Sequence, residues 1–430
     1  MERRVKGCAG LTGEVAPPGD KSISHRAVIL NSIAGGRARI ENFARGADLG
    51  ATVSCLRALG MGIVEERDML TVSGVGREGF REPPDVLNAG NSATTMRLLA
   101  GLLAAQPFLS LVTGDESLRS RPMYRLIQPL RLMGAEIWGR GNDSLAPLAI
   151  KGNRLKGIDY RLPIASAQIK SAILIAALFA QGTTTVEEPA PSRDHTERLL
   201  RNMGVNVESD GPRIVLIPNS SPLSPIDVHI PGDISSAAYW LIAGAIHPNA
   251  HIKVMNTGIN PTRSGIIDVL LQMGAKLRVE RERVVGGEPV ADLAVESSDL
   301  VGTEIGGSLI PRLIDEIPLI ALAGAFARGT TTIRDAQELR VKESDRIGAT
   351  VKELSKLGAD IDGLPDGMVI RGGRKLQGGD CSSHQDHRLA MTLGIAALVA
   401  QGETVIHDAQ VVEMSYPNFW QDLERLTQRI

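Results

Sequence analysis

Apolar and polar positions recur in blocks along this 430-residue chain. A Leu- or Met-rich helix end, a glycine and an apolar strand start appear five times: LRALGMGI (56–63), LRLMGAEI (130–137), LRNMGVNV (200–207), LLQMGAKL (270–277) and LSKLGADI (354–361). Their glycines, Gly60, Gly134, Gly204, Gly274 and Gly358, stand 74, 70, 70 and 84 residues apart. Glycine just past a helix end supplies a left-handed residue at no steric cost. The apolar or β-branched residue after it starts a strand. A second pattern interleaves with the first in six copies: VILNSIAGGRARIENF, RLLAGLLAAQPFLSLVTG, AILIAALFAQGTTTVEE, YWLIAGAIHPNAHIKVMN, LIALAGAFARGTTTIRDA and LGIAALVAQGETVIHDA. In each, an Ala/Leu-rich helix ends near Gly or Pro and runs into a Thr/Val/Ile strand. One repeat thus reads as strand, helix, strand, helix and further strand over about 70 residues, and six repeats fill the chain. The Pro/Ser-rich IPNSSPLSPID (217–227) separates repeats three and four and marks a domain boundary.

A small polar residue opens each helix of the second pattern. Ser22 opens the first, Asn91 or Ser92 the second, Ser166 the third and Ser235 the fourth. Asp315 sits just before the fifth, where Pro318 suits the first turn, and Asp386 precedes the sixth. Helix starts carry unpaired N–H groups and partial positive charge. Six such starts at equivalent places predict a cleft that takes anionic small molecules.

Composition narrows the setting. Apolar residues make up 43% and charged residues 22%, ordinary values for a globular chain. Aromatics are only 3%, so an aliphatic core is expected. A net charge of −2 gives no reason to expect nucleic acid or an anionic membrane as partner. Cys8, Cys55 and Cys381 are odd in number and far apart, against a disulfide framework or a Cys-rich metal site. The N-terminus lacks the apolar core of a signal peptide. The longest apolar run, Ala172 to Ala180, is too short to span a membrane. A soluble protein of the reducing cytoplasm is expected. The chain holds 11 lysines against 36 arginines, and arginine's planar fork suits carboxylates and phosphates.

Candidate chemistry clusters at the predicted helix starts. In Gly19-Asp20-Lys21-Ser22-Ile23-Ser24-His25-Arg26, Ser22 and Arg26 share a helix face and Lys21 precedes them, a cradle for phosphate or carboxylate. No glycine stands at the upstream spacing of a P-loop. Gly74-Val75-Gly76-Arg77-Glu78-Gly79 matches a dinucleotide pattern, but Pro83 and Pro84 follow where a helix must start, so a loop is expected. Asn88 to Arg97 is a small-residue turn entering a helix. Arg119 and Arg121 share a face if the segment before Pro122 is extended. Ser166, Gln168 and Lys170 are polar at the mouth of an apolar helix, costly unless used. Arg340, Lys342, Glu343 and Arg346 could bind an anion and supply a proton, or form an ordinary salt-bridged face. His384 and His387 lack further ligands nearby, so no metal is expected.

Ten motifs then appear in order: PGDKSISHR (18–26), NAGNSATTMR (88–97), DESLRSRPM (115–123), SAQIKSAILIAAL (166–178), SRDHTE (192–197), PGDISSAAYWLIAGA (231–245), RLIDEIP (312–318), RVKESDR (340–346), QDHRLAM (385–391) and SYPNFW (415–420). With them the chain resembles the 5-enolpyruvylshikimate-3-phosphate synthases of the enolpyruvyl transferase family. The resemblance implies an α/β fold, a two-domain inverse α/β barrel of six βαβαββ repeats hinged together. Residues 20–230 would form the N-terminal domain with repeats one to three, and 1–19 with 231–430 the C-terminal domain with repeats four to six. It implies a 3-phosphoshikimate 1-carboxyvinyltransferase, moving the enolpyruvyl group of phosphoenolpyruvate to the 5-hydroxyl of shikimate 3-phosphate. Lys21, Ser22, Arg26, Ser166, Ala167, Gln168, Arg193, Asp315 and Lys342 would hold shikimate 3-phosphate. Lys21, Ala93, Arg121, Gln168, Arg346 and Arg388 would hold phosphoenolpyruvate. Asp315 would be the base toward the hydroxyl, and Glu343 with Lys21 would handle protonation of the enol methylene. No cofactor or metal is implied, and a cytoplasmic monomer is expected. Substrates bearing two phosphates and two carboxylates between them require Arg and Lys in the site. Transfer through a tetrahedral adduct needs acid, base and stabilised charge rather than a redox group.

Ala93 stands where many members have glycine, and Met414 where many have a phosphoenolpyruvate-binding lysine. Both departures resemble the glyphosate-tolerant subgroup. Two alternatives stay open: a UDP-N-acetylglucosamine enolpyruvyl transferase, although no cysteine lies near Asp115–Arg121, and a non-enzymatic anion-binding repeat scaffold.

Overall fold

A computed structural model of the chain describes residues 1–218 and 221–428; Asn219 and Ser220, inside the expected boundary stretch 217–227, lie outside them. The chain forms two compact units. One holds Gly19–Ile230 with the short return Val285–Glu288; the other holds Met1–Pro18, Pro231–Val284 and Pro289–Ile430.

Each unit is built around three helices that are apolar on every side and buried along nearly their whole length. In the N-terminal unit these are α1 (Lys21–Ile33), α2 (Ala93–Leu103) and α3 (Ala167–Ala177). In the C-terminal unit they are α4 (Ile234–Ile246), α5 (Ile317–Phe326) and α6 (His387–Val399). A helix without a polar face has to be surrounded, and here sheets do so. The second repeat shows the pattern in full. Leu87–Asn88 precedes α2, Leu109–Thr113 pairs parallel to it, Tyr124–Met133 is the outer helix, and the hairpin Glu136–Gly139/Leu145–Lys151 closes the sheet. The third and fifth repeats copy it around α3 and α5.

The remaining repeats borrow a strand from elsewhere in the chain. Val228–His229 supplies the opening strand of the first. Gly10–Val15 supplies that of the fourth, parallel to Ala250–Gly258. The sixth has no closing hairpin; Arg3–Lys6 pairs antiparallel with Glu403–His407 instead. This βαβαββ unit with helices inside is the inverse of the usual α/β arrangement.

The five repeated glycines all sit at positive φ, between +84° and +111°. In every copy the residue after the glycine donates its N–H to the carbonyl five residues back, at the motif's first position, as Ala135 does to Leu130 at 3.0 Å. This is the Schellman geometry that ends a helix and aims the next strand. In the N-terminal unit the motif's arginine reaches forward: Arg57, Arg131 and Arg201 donate through Nε to the carbonyls of Ile63, Ile137 and Val207 at 3.1, 2.8 and 2.7 Å. Part of the arginine excess therefore ties helix ends to strands. Five of the thirteen aromatics cluster in the C-terminal unit, where Tyr239, Trp240, Tyr416, Phe419 and Trp420 pack with ring centroids 4.9 to 6.2 Å apart. The SYPNFW motif thus serves this core.

Three local expectations need correction. Asp20, not Ser22, caps α1, accepting from Ile23 N at 2.9 Å. Asp233, not Ser235, caps α4, accepting from Ser235 N at 2.8 Å. In both, an aspartate upstream competes better for the first free N–H groups. Glu116–Ser120 is a short helix rather than an extended segment, because the Asp115 carboxylate accepts from Leu118 N at 2.8 Å. Arg119 is consequently exposed while Arg121, at the helix end, is buried.

Backbone closeness is the cost of packing such helices. A Cβ placed on Gly101 of α2 would lie 2.3 Å from the Ala172 carbonyl oxygen of α3, whereas one on Gly50 in the outer helix Ala47–Ala58 would meet nothing within 4 Å. Gly101→Val is expected to destabilise the N-terminal unit by about 3 kcal/mol. Gly50→Ala is expected to stabilise it by about 0.5–1 kcal/mol. Urea unfolding of the two full-length variants against the parent checks both signs.

Candidate active site

In the N-terminal unit, hydrogen bonds from the first turns lace the three central helices together. Arg26 on α1 is buried and spends all five N–H groups on protein. It donates to Thr196 Oγ1 at 2.7 Å, to the Ser22 carbonyl at 2.9 Å and Oγ at 2.7 Å, and to Ser171 Oγ at 2.8 Å and the Ala167 carbonyl at 3.5 Å on α3. Burial, with the like charge of Arg193 nearby, lowers its pKa to about 10.

Lys21 Nζ pairs with Asp48 Oδ2 at 2.9 Å. His25 lies beneath, its Nδ1 2.7 Å from Thr52 Oγ1, which is 2.7 Å from Thr95 Oγ1 on α2. Burial brings the His25 pKa down to about 3, so this link is a neutral one. Thr95 bonds Ser92 Oγ at 2.8 Å, and Ser92 caps α2 as expected. Ala93 is the first residue of that helix. Gln168 of α3 donates to Thr94 Oγ1 at 2.9 Å and accepts from Arg97. Ser166 caps α3, and Ala167 is its first residue. Arg121 donates to Asn91 Oδ1 at 2.7 Å beside the α2 start. Arg193 is half-buried on the loop between the strand Thr184–Glu187 and the helix His195–Asn202. The N-terminal residues that the resemblance assigned to substrate therefore lie at the starts of α1, α2 and α3 or on segments bonded to them. Lys170 does not: it is buried one turn below, between two glutamates.

The C-terminal unit repeats the scheme with more charge. Asp315, in the tight turn before α5, has Oδ1 3.2 Å from Arg346 Nη1 and 3.8 Å from Lys342 Nζ, and Oδ2 3.6 Å from Arg388 Nη2. Glu343 Oε2 accepts from Arg346 Nη2 at 2.6 Å. Asp386, the α6 cap, accepts from Arg346 Nε at 2.7 Å and from Arg388 N at 2.9 Å. Asp315, Lys342, Glu343, Arg346 and Arg388 thus form one connected network. Burial alone would weaken the Arg346 charge, but Asp386, Glu343 and Asp315 around it raise its pKa above the ordinary arginine value. Arg388 is raised too, as Asp315 and Glu316 outweigh burial. Against burial, Arg346 holds the Asp386 carboxyl below its usual range.

Sequence reasoning gave no site role to several members. Arg97 stands four residues after Ala93, the Ser22–Arg26 spacing again, which was a usable signal. Glu316 is fully buried, 3.2 Å from Arg263 Nη1, and accepts from Ser235 Oγ. Arg263 follows no periodic pattern, so nothing in the sequence pointed to it. His384 Nε2 is 2.8 Å from Glu353 Oε1. Met414 ends a 3-10 helix, Ala409–Met414, and packs against the C-terminal core, offering an apolar side chain in place of a cation. Among the described residues no helix is long and apolar enough to cross a membrane.

The comparisons with known proteins agree along the whole length. The family model described as EPSP synthase (3-phosphoshikimate 1-carboxyvinyltransferase) matches residues 5–423. A 3-phosphoshikimate 1-carboxyvinyltransferase of Desulforudis audaxviator is 54% identical over 427 residues, covering 99% of each chain. One from Herpetosiphon aurantiacus is 51% identical, covering 98% of each. The solved EPSP synthase of Acinetobacter baumannii superposes with a TM-score of 0.88 at 42% identity, covering 100% of this chain and 98% of its own. The enolpyruvyl transferase NikO of Streptomyces tendae, 21% identical with a TM-score of 0.79 and covering 98% of this chain and 96% of its own, shares the fold. With helix starts carrying Lys, Arg and paired carboxylates, and matches of this extent, the chain belongs to the EPSP synthase (3-phosphoshikimate 1-carboxyvinyltransferase) family.

Proposed function

We propose that this chain joins phosphoenolpyruvate and shikimate 3-phosphate through the residues described above. The enolpyruvyl group passes to the 5-hydroxyl and phosphate leaves. The observation that carries the chemistry is the placement of Asp315 among Lys342, Arg346 and Arg388, with Glu343 bonded to Arg346. In the empty protein these cations pair with carboxylates. When substrate phosphate and carboxylate groups take the cations over, Asp315 loses its partners and gains basicity. It then accepts the proton of the attacking 5-hydroxyl. As oxygen bonds C2 of phosphoenolpyruvate, C3 takes a proton from Glu343, with Lys21 as a second donor, giving a tetrahedral adduct. Loss of a C3 proton and of phosphate restores the vinyl group.

In this reading Lys21, Ser22, Arg26, Ser166, Ala167, Gln168, Arg193, Asp315 and Lys342 serve shikimate 3-phosphate. Lys21, Ala93, Arg121, Gln168, Arg346 and Arg388 serve phosphoenolpyruvate. Both sets must bind one substrate pair, and exclusion of water from the reacting groups belongs to the proposal. So do a cytoplasmic monomer and chemistry without a cofactor.

Phosphate release with both substrates is the direct test. Turnover is expected with shikimate 3-phosphate and not with UDP-N-acetylglucosamine; the reverse would establish the alternative transferase. Asp315→Ala and Glu343→Gln are each expected to lower kcat by about 10²–10⁴-fold. An anion-binding scaffold would show no turnover to lose.

The Ala93 methyl at the first position of α2 supports a second proposal. It crowds the space glyphosate needs, so the protein is less sensitive than relatives with glycine there. Ala93→Gly is expected to lower the glyphosate inhibition constant by about tenfold or more. An unchanged constant removes the explanation.

A further inference from the structure

Lys170 has no place in the reaction as read, and it is the most deeply buried ammonium of the N-terminal site region, with 1% of its side chain exposed. Its three N–H groups meet three oxygens: Glu188 Oε2 at 2.7 Å, Glu197 Oε1 at 2.7 Å and the Ser192 carbonyl at 3.3 Å. Glu188 and Glu197 are 3% and 1% exposed. Two buried carboxylates share one ammonium, and Glu197 Oε2 is buried without a hydrogen-bond partner. Such an arrangement is expensive, and an apolar core of the same size would serve stability as well. A function other than stability therefore has to account for it.

The contacts of Glu188 point to that function. Its carboxylate takes the Ser192 hydroxyl on Oε1 and the Ser192 N–H at 3.5 Å on Oε2, while Lys170 takes the Ser192 carbonyl. Ser192 is thus gripped by side chain, N–H and carbonyl together. Arg193 follows directly, and Thr196, which holds Arg26, lies one turn further on. Pro189 and Pro191 stiffen the same loop by fixing φ. Glu197 fastens the far end of the loop to the same ammonium. Lysine suits the place because a compact ammonium meets three oxygens converging from different directions, which the flat guanidinium fork does not.

We infer that Lys170, Glu188 and Glu197 are positioning residues: they set the loop 188–197 against α3 so that Arg193 is presented to shikimate 3-phosphate at the right place. The inference rests on the proposed function, in which Arg193 binds that substrate. The buried triad acts on substrate recognition through Arg193 and not on phosphoenolpyruvate.

Glu188→Gln is the informative variant, because an amide still offers Lys170 and the Ser192 N–H one oxygen, while the second oxygen, which accepts from the Ser192 hydroxyl, becomes an NH2 donor. In the full-length enzyme the KM for shikimate 3-phosphate is expected to rise on the order of tenfold. The kcat and the KM for phosphoenolpyruvate should stay within about twofold. In an Arg193→Ala background the same change should add less than about twofold, because its effect passes through Arg193. Should Glu188→Gln not fold, Glu188→Asp, which keeps the charge and shortens the reach, reads the same split. An unchanged KM for shikimate 3-phosphate, equal shifts for both substrates, or full additivity with Arg193→Ala would overturn the inference. These outcomes leave the parent enzyme's turnover intact, so they are distinct from failure of the proposed function, which appears as no phosphate release by the parent.

Discussion

The polar groups of the candidate site are arranged around helices that are buried on nearly every side. The six central helices are buried almost completely, so they offer side-chain chemistry only in their first turns, where N–H groups are still unpaired. Five of the six starts are satisfied by a side-chain cap, and beyond the cap the first two turns carry the polar groups: Lys21 and Arg26 on α1, Arg97 on α2, Gln168 on α3, Ser235 on α4, Arg388 on α6; α5 has no such cap and is preceded by Asp315 and Glu316. The same crowding that forbids a β-carbon on Gly101 brings these starts close enough to bond one another. Packing and site construction are therefore a single requirement.

The arginines are paired before any substrate arrives. Arg346 is enclosed by Asp386, Glu343 and Asp315, and Arg26 by hydroxyls and carbonyls. A buried, unpaired guanidinium is costly, so the fold supplies acceptors from its own carboxylates, hydroxyls and carbonyls. In the proposed function substrate anions would be recognised by exchange, trading internal carboxylates and hydroxyls for phosphate oxygens. The net cost of entering such a site is smaller than that of filling a bare cationic hole, and discrimination lies in matching the geometry already present.

Much of this was legible beforehand because it repeats. Five glycines at a spacing near 70 residues announced helix ends, and all five adopt the left-handed conformation. Ser92, Ser166 and Asp386 were readable as caps because the chain must satisfy N–H groups at those places. Ser22 and Ser235 were misread because Asp20 and Asp233, slightly upstream, accept more strongly. The C-terminal charges were ambiguous as a string: RVKESDR reads equally as a salt-bridged surface. Only the fold brings Asp315 and Asp386, from other segments, against Arg346. Arg263 and Glu316 could not be paired from sequence, since 53 residues separate them and neither lies on a repeating pattern.

The borrowed strands impose an order on biosynthesis. The N-terminal unit contains nearly all its partners within Gly19–Ile230, so it can consolidate once Val228–His229 has left the ribosome, save for the turn Val285–Glu288. The other unit has no such freedom. Gly10–Val15 must wait for Ala250–Gly258, and Arg3–Lys6 for Glu403–His407, a separation of almost the entire polypeptide. During translation Arg3–Lys6 therefore stays without this partner until the sixth repeat emerges, and Gly10–Val15 until the fourth. Their charge, Arg3, Arg4 and Lys6 in the first of them, guards that long interval against pairing with the wrong edge.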